Sequence, residues 1–111
     1  MYILTITLKV VPAKREEFIT SVRLLHKDIT QEKGLKNSSL FQDVDDVNRF
    51  NLIEEWETQE DRDNHLRSEL HRVLMGAVKV LGEQSEVRYN YIGHQTGREV
   101  LIQKGTKGQS N

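Results

Sequence analysis

The amino-acid sequence predicts an α+β domain with the element order β-α-β-β-α-β, the split βαβ or ferredoxin-like arrangement. Residues 2–11 alternate between an apolar face and a mixed face, as a strand with one buried side does. Two longer segments repeat apolar residues at helical spacing, and each stops before a glycine, Gly34 or Gly82. Two short alternating segments lie between them and predict a hairpin.

The first strand and the first helix are the most clearly patterned elements. One face of the strand carries Tyr2, Leu4, Ile6, Leu8 and Val10. After Pro12, the helix is predicted over roughly 13–33, because apolar residues recur every three or four positions and form one face. That face consists of Phe18, Val22, Leu25 and Ile29.

The predicted hairpin spans 35–45 and 48–57, with a turn rich in Asp and Asn between its strands. Four alternating residues of its second strand share one face, namely Phe50, Leu52, Glu54 and Trp56. The only tryptophan of the chain therefore ends a strand and directly precedes a helix start.

Thr58, with Asp61 three residues later, predicts the cap of the second helix, which continues to Leu81 with a break near Ser68. Leu66, Leu70 and Val73 have helical spacing and are expected to form its buried stripe. His65 lies about 100° from that stripe, at its margin. We therefore expect a partly buried imidazole at a pocket rim, near Trp56 or a partner chain.

Residues 85–92 predict a fourth strand, so we divide the chain into a domain over 1–92 and a C-terminal extension over 93–111. The run Val100-Leu101-Ile102 fits a short fifth strand that clasps a partner subunit, and a mostly disordered tail fits equally well. The sheet has a second face that two helices cannot cover, which favours a homodimer that closes a barrel between two sheets.

Composition excludes several classes of protein. The 111 residues include 16 basic and 17 acidic side chains with no basic stripe, so we expect no nucleic-acid binding. The absence of cysteine excludes thiolate chemistry and suits the cytoplasm. No membrane span and no dinucleotide loop is evident, and we expect no metal, flavin or other cofactor. His71 lies about 600° beyond His65 on a regular helix, which argues against a shared metal site.

Three segments resemble the antibiotic biosynthesis monooxygenase family of dimeric α+β barrels. They are residues 11–18 at the start of the first helix, Glu54-Glu55-Trp56, and His65-Leu66-Arg67-Ser68. The resemblance extends over about residues 2–92. It implies a homodimer with a pocket between sheet and helices in each subunit. It also implies metal-free and flavin-free oxidation of a small quinol-like or enolisable compound by O2.

His65 matches the family's histidine on the second helix and is the predicted catalytic residue, since imidazole can deprotonate a phenol near neutral pH. Trp56 is predicted to stack on a flat substrate, or simply to pack in the core. Glu54 could act as a base, or pair with an arginine such as Arg88 across a dimer. Tyr89 and Tyr91 share one strand face, where they orient a substrate or pack.

Two alternatives stay open. The family also contains haem-degrading members, which use an asparagine on the first strand and an iron-ligating histidine late in the second helix. This chain has Thr5 and Thr7 on that strand, and only His71 comes near the histidine position. The other alternative is a non-catalytic dimer that binds a small molecule.

Overall fold

The computed structural model describes residues 1–95 and 98–110, with side chains described for residues 1–91. The strands are β1 (Tyr2–Val10), β2 (Leu35–Gln42), β3 (Arg49–Trp56), β4 (Gly82–Gln95) and β5 (Arg98–Ser110). A short 3-10 turn (Pro12–Lys14) leads into α1 (Arg15–Ile29), and α2 (Gln59–Leu66) and α3 (Glu69–Leu81) lie between β3 and β4. The predicted order β-α-β-β-α-β is confirmed.

The five strands form one antiparallel sheet in the order β2-β3-β1-β4-β5. β5 contains the apolar run 100–102 and pairs along β4 of the same chain. β4 continues past residue 92, and the division of the chain into two parts stays a prediction. None of the described helices is long and apolar enough to cross a membrane.

The core lies between the helices and one face of the sheet. All apolar residues at even positions of β1 after Tyr2 are buried there, as the alternation predicted. Phe18, Val22 and Ile29 of α1 are buried as well, and α3 contributes Leu74, Val78 and Leu81. Because this face is filled by the chain's own helices, only the opposite face of the sheet is open.

The predicted second helix is two helices that meet at Ser68. Ser68 has an extended backbone, its hydroxyl donates to the His65 carbonyl at 2.6 Å, and it accepts from the His71 amide at 3.2 Å. It therefore closes α2 and caps α3. The predicted stripe is wrong at Val73, which is exposed, whereas Leu66 and Leu70 are half-buried. The fully buried positions of the two helices include Arg62, His65, Leu74 and Val78.

Candidate functional site

His65 is the centre of a cluster at the end of β3. It lies in the last turn of α2, whose start is capped by the Thr58 hydroxyl, which accepts from the Asp61 amide at 3.1 Å. Its side chain is 1% exposed. The expectation of a partly buried imidazole at a pocket rim is therefore wrong, whereas the expected proximity to Trp56 is confirmed. The rings of His65 and Trp56 stack with their centroids 4.6 Å apart.

Glu54 and Trp56 reach this cluster because they are two residues apart on β3 and share its helix-covered face. The Trp56 indole N–H donates to Oε1 of Glu54 at 3.3 Å, and both residues are completely buried. The same oxygen lies 3.0 Å from Nε2 of His65. This distance suits an ion pair, although the ring N–H is not aligned with the oxygen as in a hydrogen bond.

A second carboxylate approaches His65 from the opposite side. Oε2 of Glu32 lies 2.6 Å from Nδ1 of His65. Glu32 belongs to the turn between α1 and β2, and that turn is fixed by a hydrogen bond from the Glu57 amide to the Gly34 carbonyl at 2.8 Å. The imidazole therefore lies between two glutamates, one from the turn and one from the sheet.

This environment raises the pKa of His65 above its ordinary value. Burial alone lowers that pKa, but the contacts with Glu54 and then Glu32 outweigh the effect. The geometry favours the same form of the ring, because carboxylates only accept hydrogen bonds and the two carboxylates face different ring nitrogens. Both contacts therefore stabilise the imidazolium form of His65.

His71 lies next to His65, in contrast to the expectation from a regular helix. Its ring meets the His65 ring edge-on, with centroids 5.1 Å apart. The break at Ser68 makes this contact possible, because it cancels the angular separation that a continuous helix would impose. Burial and the charge of His65 lower the pKa of His71 despite the opposing effect of Glu54, so its imidazole is neutral at pH 7.

A cavity of about 570 Å³ opens on the outer side of His71. Tyr89 forms part of its wall, and Arg67, Arg72 and Glu69 carry charges at its border. Its other lining residues are Leu66, Ser68, Met75 and Val87. His65, Glu54 and Trp56 do not line it, so His71 and Tyr89 are the members of this region that a ligand in the cavity can touch.

The remaining predicted residues lie around the cluster. The Tyr91 ring packs against Tyr2, 4.8 Å away, on the same sheet face as Tyr89. Arg62 of α2 is buried, and its guanidinium lies over the rings of Tyr2 and Tyr89. The proposed pairing of Glu54 with Arg88 is wrong, since Arg88 lies on the opposite face of the sheet and pairs with Glu86.

Sequence reasoning missed Glu32 and set His71 aside. The hairpin register could have indicated Glu32, because Leu35 pairs with Trp56 and residues just before it must lie near the end of β3. Ser68 was the available signal for His71, since a serine cap within a helical segment changes the face of each residue after it. Within the part of the chain with described side chains, no three His, Cys, Asp or Glu side chains are arranged so that they could hold a metal ion.

Comparisons with known proteins agree with the fold and the sequence pattern. The family model "Antibiotic biosynthesis monooxygenase" matches residues 1–77. The Bacillus subtilis (strain 168) protein "Putative monooxygenase YcnE" is 34% identical over 59 residues, which are 53% of this chain and 62% of that protein. The chain therefore aligns with less than two thirds of that relative.

Solved structures share the architecture. A "Putative antibiotic biosynthesis monooxygenase from Nitrosomonas europaea" is 25% identical to this chain and has a TM-score of 0.75. The match covers 86% of this chain and 100% of that one. A conserved protein from Methanosarcina mazei Go1 has a TM-score of 0.73 at 20% identity, over 80% of this chain and 90% of that one, and shows the fold alone. The chain belongs to the antibiotic biosynthesis monooxygenase family.

Proposed function

We propose that this protein is a monooxygenase that oxidises a small quinol-like or enolisable compound with O2 and without a bound cofactor. Family membership and the name of the Bacillus relative support oxygen chemistry. The observation that carries the site assignment is the position of the His71 ring, which lies in the cavity wall and contacts the ring of the buried His65. The substrate lies in this cavity, next to Tyr89.

The roles of the histidines follow from their exposure. His71 touches the substrate and accepts its acidic proton, since a neutral imidazole is a base near pH 7. His65, which the sequence predicts as catalytic, acts through His71 by fixing its position and keeping it neutral. Trp56 and Glu54 support His65, while Tyr89 contacts the substrate and Tyr91 packs behind it.

The chemistry needs no electron donor besides the substrate. Once the substrate is an anion, it passes one electron to O2, and the resulting radical and superoxide combine to a peroxide. The peroxide then loses water: an activated CH2 group becomes C=O, and the second oxygen atom leaves as water with the two hydrogens of that group. Oxidation of CH2 to C=O releases four electrons, which are the four that reduce O2, so the step balances. Arg67 at the cavity border favours an anionic compound, whereas the charge of Arg72 is balanced by its ion pair with Glu69.

An oxygen electrode tests this proposal with a panel of hydroquinones and anthrones on dialysed protein. We expect wild type to consume O2 above the rate without protein, and His71→Gln to lose at least about 10²-fold, the usual contribution of a general base. His26→Gln is the matched control, because His26 lies on α1, away from the cavity. Equal rates in wild type and His71→Gln would refute the role of His71.

If no compound is oxidised but one binds by calorimetry, the protein is a binding module and the enzymatic proposal fails. The proposed enzyme is a homodimer. Cytoplasmic localisation stays a prediction.

Haem degradation is the second candidate, and the position of His71 in the cavity wall favours it. The first strand argues against it, because Thr5 and Thr7 lie on the face opposite the cavity, so haem fits this chain only at His71. A haem titration decides: a shifted Soret band in wild type that is lost in His71→Gln would support haem binding.

A further inference from the structure

Glu32 is the member of the histidine cluster that neither the sequence pattern nor the family comparison assigns. It is also the more exposed of the two carboxylates: its side chain is 20% exposed, whereas that of Glu54 is 1% exposed. A carboxylate that stays partly hydrated keeps its charge more easily than a fully buried one. Glu32 is therefore well suited to balance an imidazolium at this position.

The contacts of His65 give Glu32 the better-defined interaction. Nδ1 of His65 meets Glu32 at 2.6 Å, whereas Nε2 lies 3.0 Å from Glu54 without hydrogen-bond alignment. Glu54 also serves the Trp56 indole, so its Oε1 is shared between two donors. The contact between Nδ1 and Glu32 is thus the main interaction that orients the imidazole ring of His65.

The turn that carries Glu32 is built to hold it in place. The Glu32 amide donates to the Ile29 carbonyl at 3.0 Å, which extends the end of α1. Two residues later, Gly34 adopts a positive φ of 85° and packs directly against Asp61 at the start of α2. The turn therefore contacts α2, the same helix that carries His65. This contact holds Glu32 and His65 at a fixed distance from each other.

We infer that Glu32 is a positioning residue of the site: its carboxylate pairs with Nδ1 of His65 and holds that ring in the orientation in which it contacts His71 at the cavity wall. The catalytic part of this inference rests on the proposed function. The groups that face His65 are Glu32 from the turn, Glu54 from β3 and His71 from α3. Arg62 of the same helix is directed to Tyr2 and Tyr89 instead.

Histidine titration by NMR tests the charge relation without any substrate. We compare wild type with Glu32→Gln, which keeps the shape and removes the charge, and with Glu32→Asp, which keeps the charge on a shorter side chain. Glu57→Gln is the matched control, because Glu57 is an exposed carboxylate that directly follows Trp56. Signals are assigned with the His65→Gln, His71→Gln and His26→Gln variants.

In Glu32→Gln we expect His65 to titrate at lower pH and His71 at higher pH than in wild type. Glu32→Asp should give an intermediate result, and Glu57→Gln should leave both titrations unchanged. The pH profile of oxygen uptake should shift with His71, with a loss of about tenfold in kcat/KM, as for other residues that orient a site residue.

The outcomes separate the two proposals. Unchanged titration of His65 in a folded Glu32→Gln protein would overturn the inference. If the titrations shift as expected but wild type oxidises nothing, the charge relation is supported while the proposed function fails. If Glu32→Gln does not fold, Glu32→Asp still decides, because an unaltered His65 titration in that variant would show that the 2.6 Å contact has no influence.

Discussion

The two histidines of the cluster have pKa values shifted in opposite directions although their rings are in contact. His65 lies between two carboxylates, so its charge is compensated, whereas His71 is half-buried beside that charge. Environment decides here, because both residues have the same intrinsic pKa of about 6.5. These surroundings favour the charged form of His65 and the neutral form of His71, and only His71 lines the cavity.

This difference predicts how stability depends on pH. The pKa of His65 is raised in the folded state, so its stabilisation is complete below about pH 6.5 and is lost as the pH rises through the folded pKa. The pKa of His71 is lowered, so its contribution is complete above about pH 6.5 and is lost as the pH falls. The free energy of unfolding should therefore decline on both sides of that pH.

Urea denaturation between about pH 5.5 and 8.5 measures this dependence. His65→Gln should flatten the alkaline side of the profile, and His71→Gln should flatten the acidic side. A free energy of unfolding that rises steadily to the alkaline end in wild type would contradict the charge assigned to His65.

Short elements determine where the side chains of the cluster point. The break at Ser68 turns α3 so that His71 contacts His65, and the turn at Gly34 holds Glu32 against α2. Neither element contributes an apolar residue to the main core cluster. Their effect on the site comes from backbone conformation and hydrogen bonds.

Gly34 and Gly76 form a matched pair for testing this. A Cβ at Gly34 would lie 2.2 Å from Oδ2 of Asp61, and the φ of 85° is itself unfavourable for alanine. We expect Gly34→Ala to destabilise the protein by about 1–3 kcal/mol from the backbone conformation alone. Gly76 lies in α3 with open space around it, so Gly76→Ala should stabilise by about 0.5–1 kcal/mol.

Thermal and urea unfolding of the two variants measure the expected loss of stability in Gly34→Ala and the expected gain in Gly76→Ala. The Gly34→Ala variant should also shift the His65 resonance, since the turn that carries Glu32 must move. A Gly34→Ala protein as stable as wild type would show that this turn is loosely held.

At the scale of the whole molecule, the face of the sheet opposite the helices carries apolar residues that no described helix covers. Ile3, Thr5 and Ile53 are half-buried at its centre, and Phe41 is 52% exposed nearby. The helices cover only the other face, and a half-buried apolar face of this kind is typical of an interface with another chain. The family to which the chain belongs is typically dimeric, which agrees with this expectation.

We predict a dimer that buries this face. Light scattering at micromolar concentration should give the mass of two chains for wild type and of one chain for Ile53→Lys. Val80→Lys is the control, because Val80 is 67% exposed on α3, on the opposite side of the molecule. A stable wild-type monomer would refute the predicted assembly.

The sequence by itself determined the architecture of this protein. The alternation in β1, the helical spacing of Phe18, Val22 and Ile29, and the positive φ at Gly34 are local or periodic features, so they can be recognised without tertiary contacts. The place of Trp56 at a strand end and the helix cap at Thr58 follow from the same rules. His65 was correctly placed near Trp56 for this reason.

Only the tertiary structure decided the composition of the site. Glu32 and Glu54 are 22 positions apart along the chain and meet through His65, since α2 packs over the end of β3 beside the α1–β2 turn. The spacing along a regular helix predicts that His71 and His65 lie on different faces. In the structure the helix is interrupted at Ser68, and the two rings are in contact. Periodicity describes one element at a time, whereas a site depends on how several elements pack, and that packing sets which histidine is buried and charged and which one reaches the cavity.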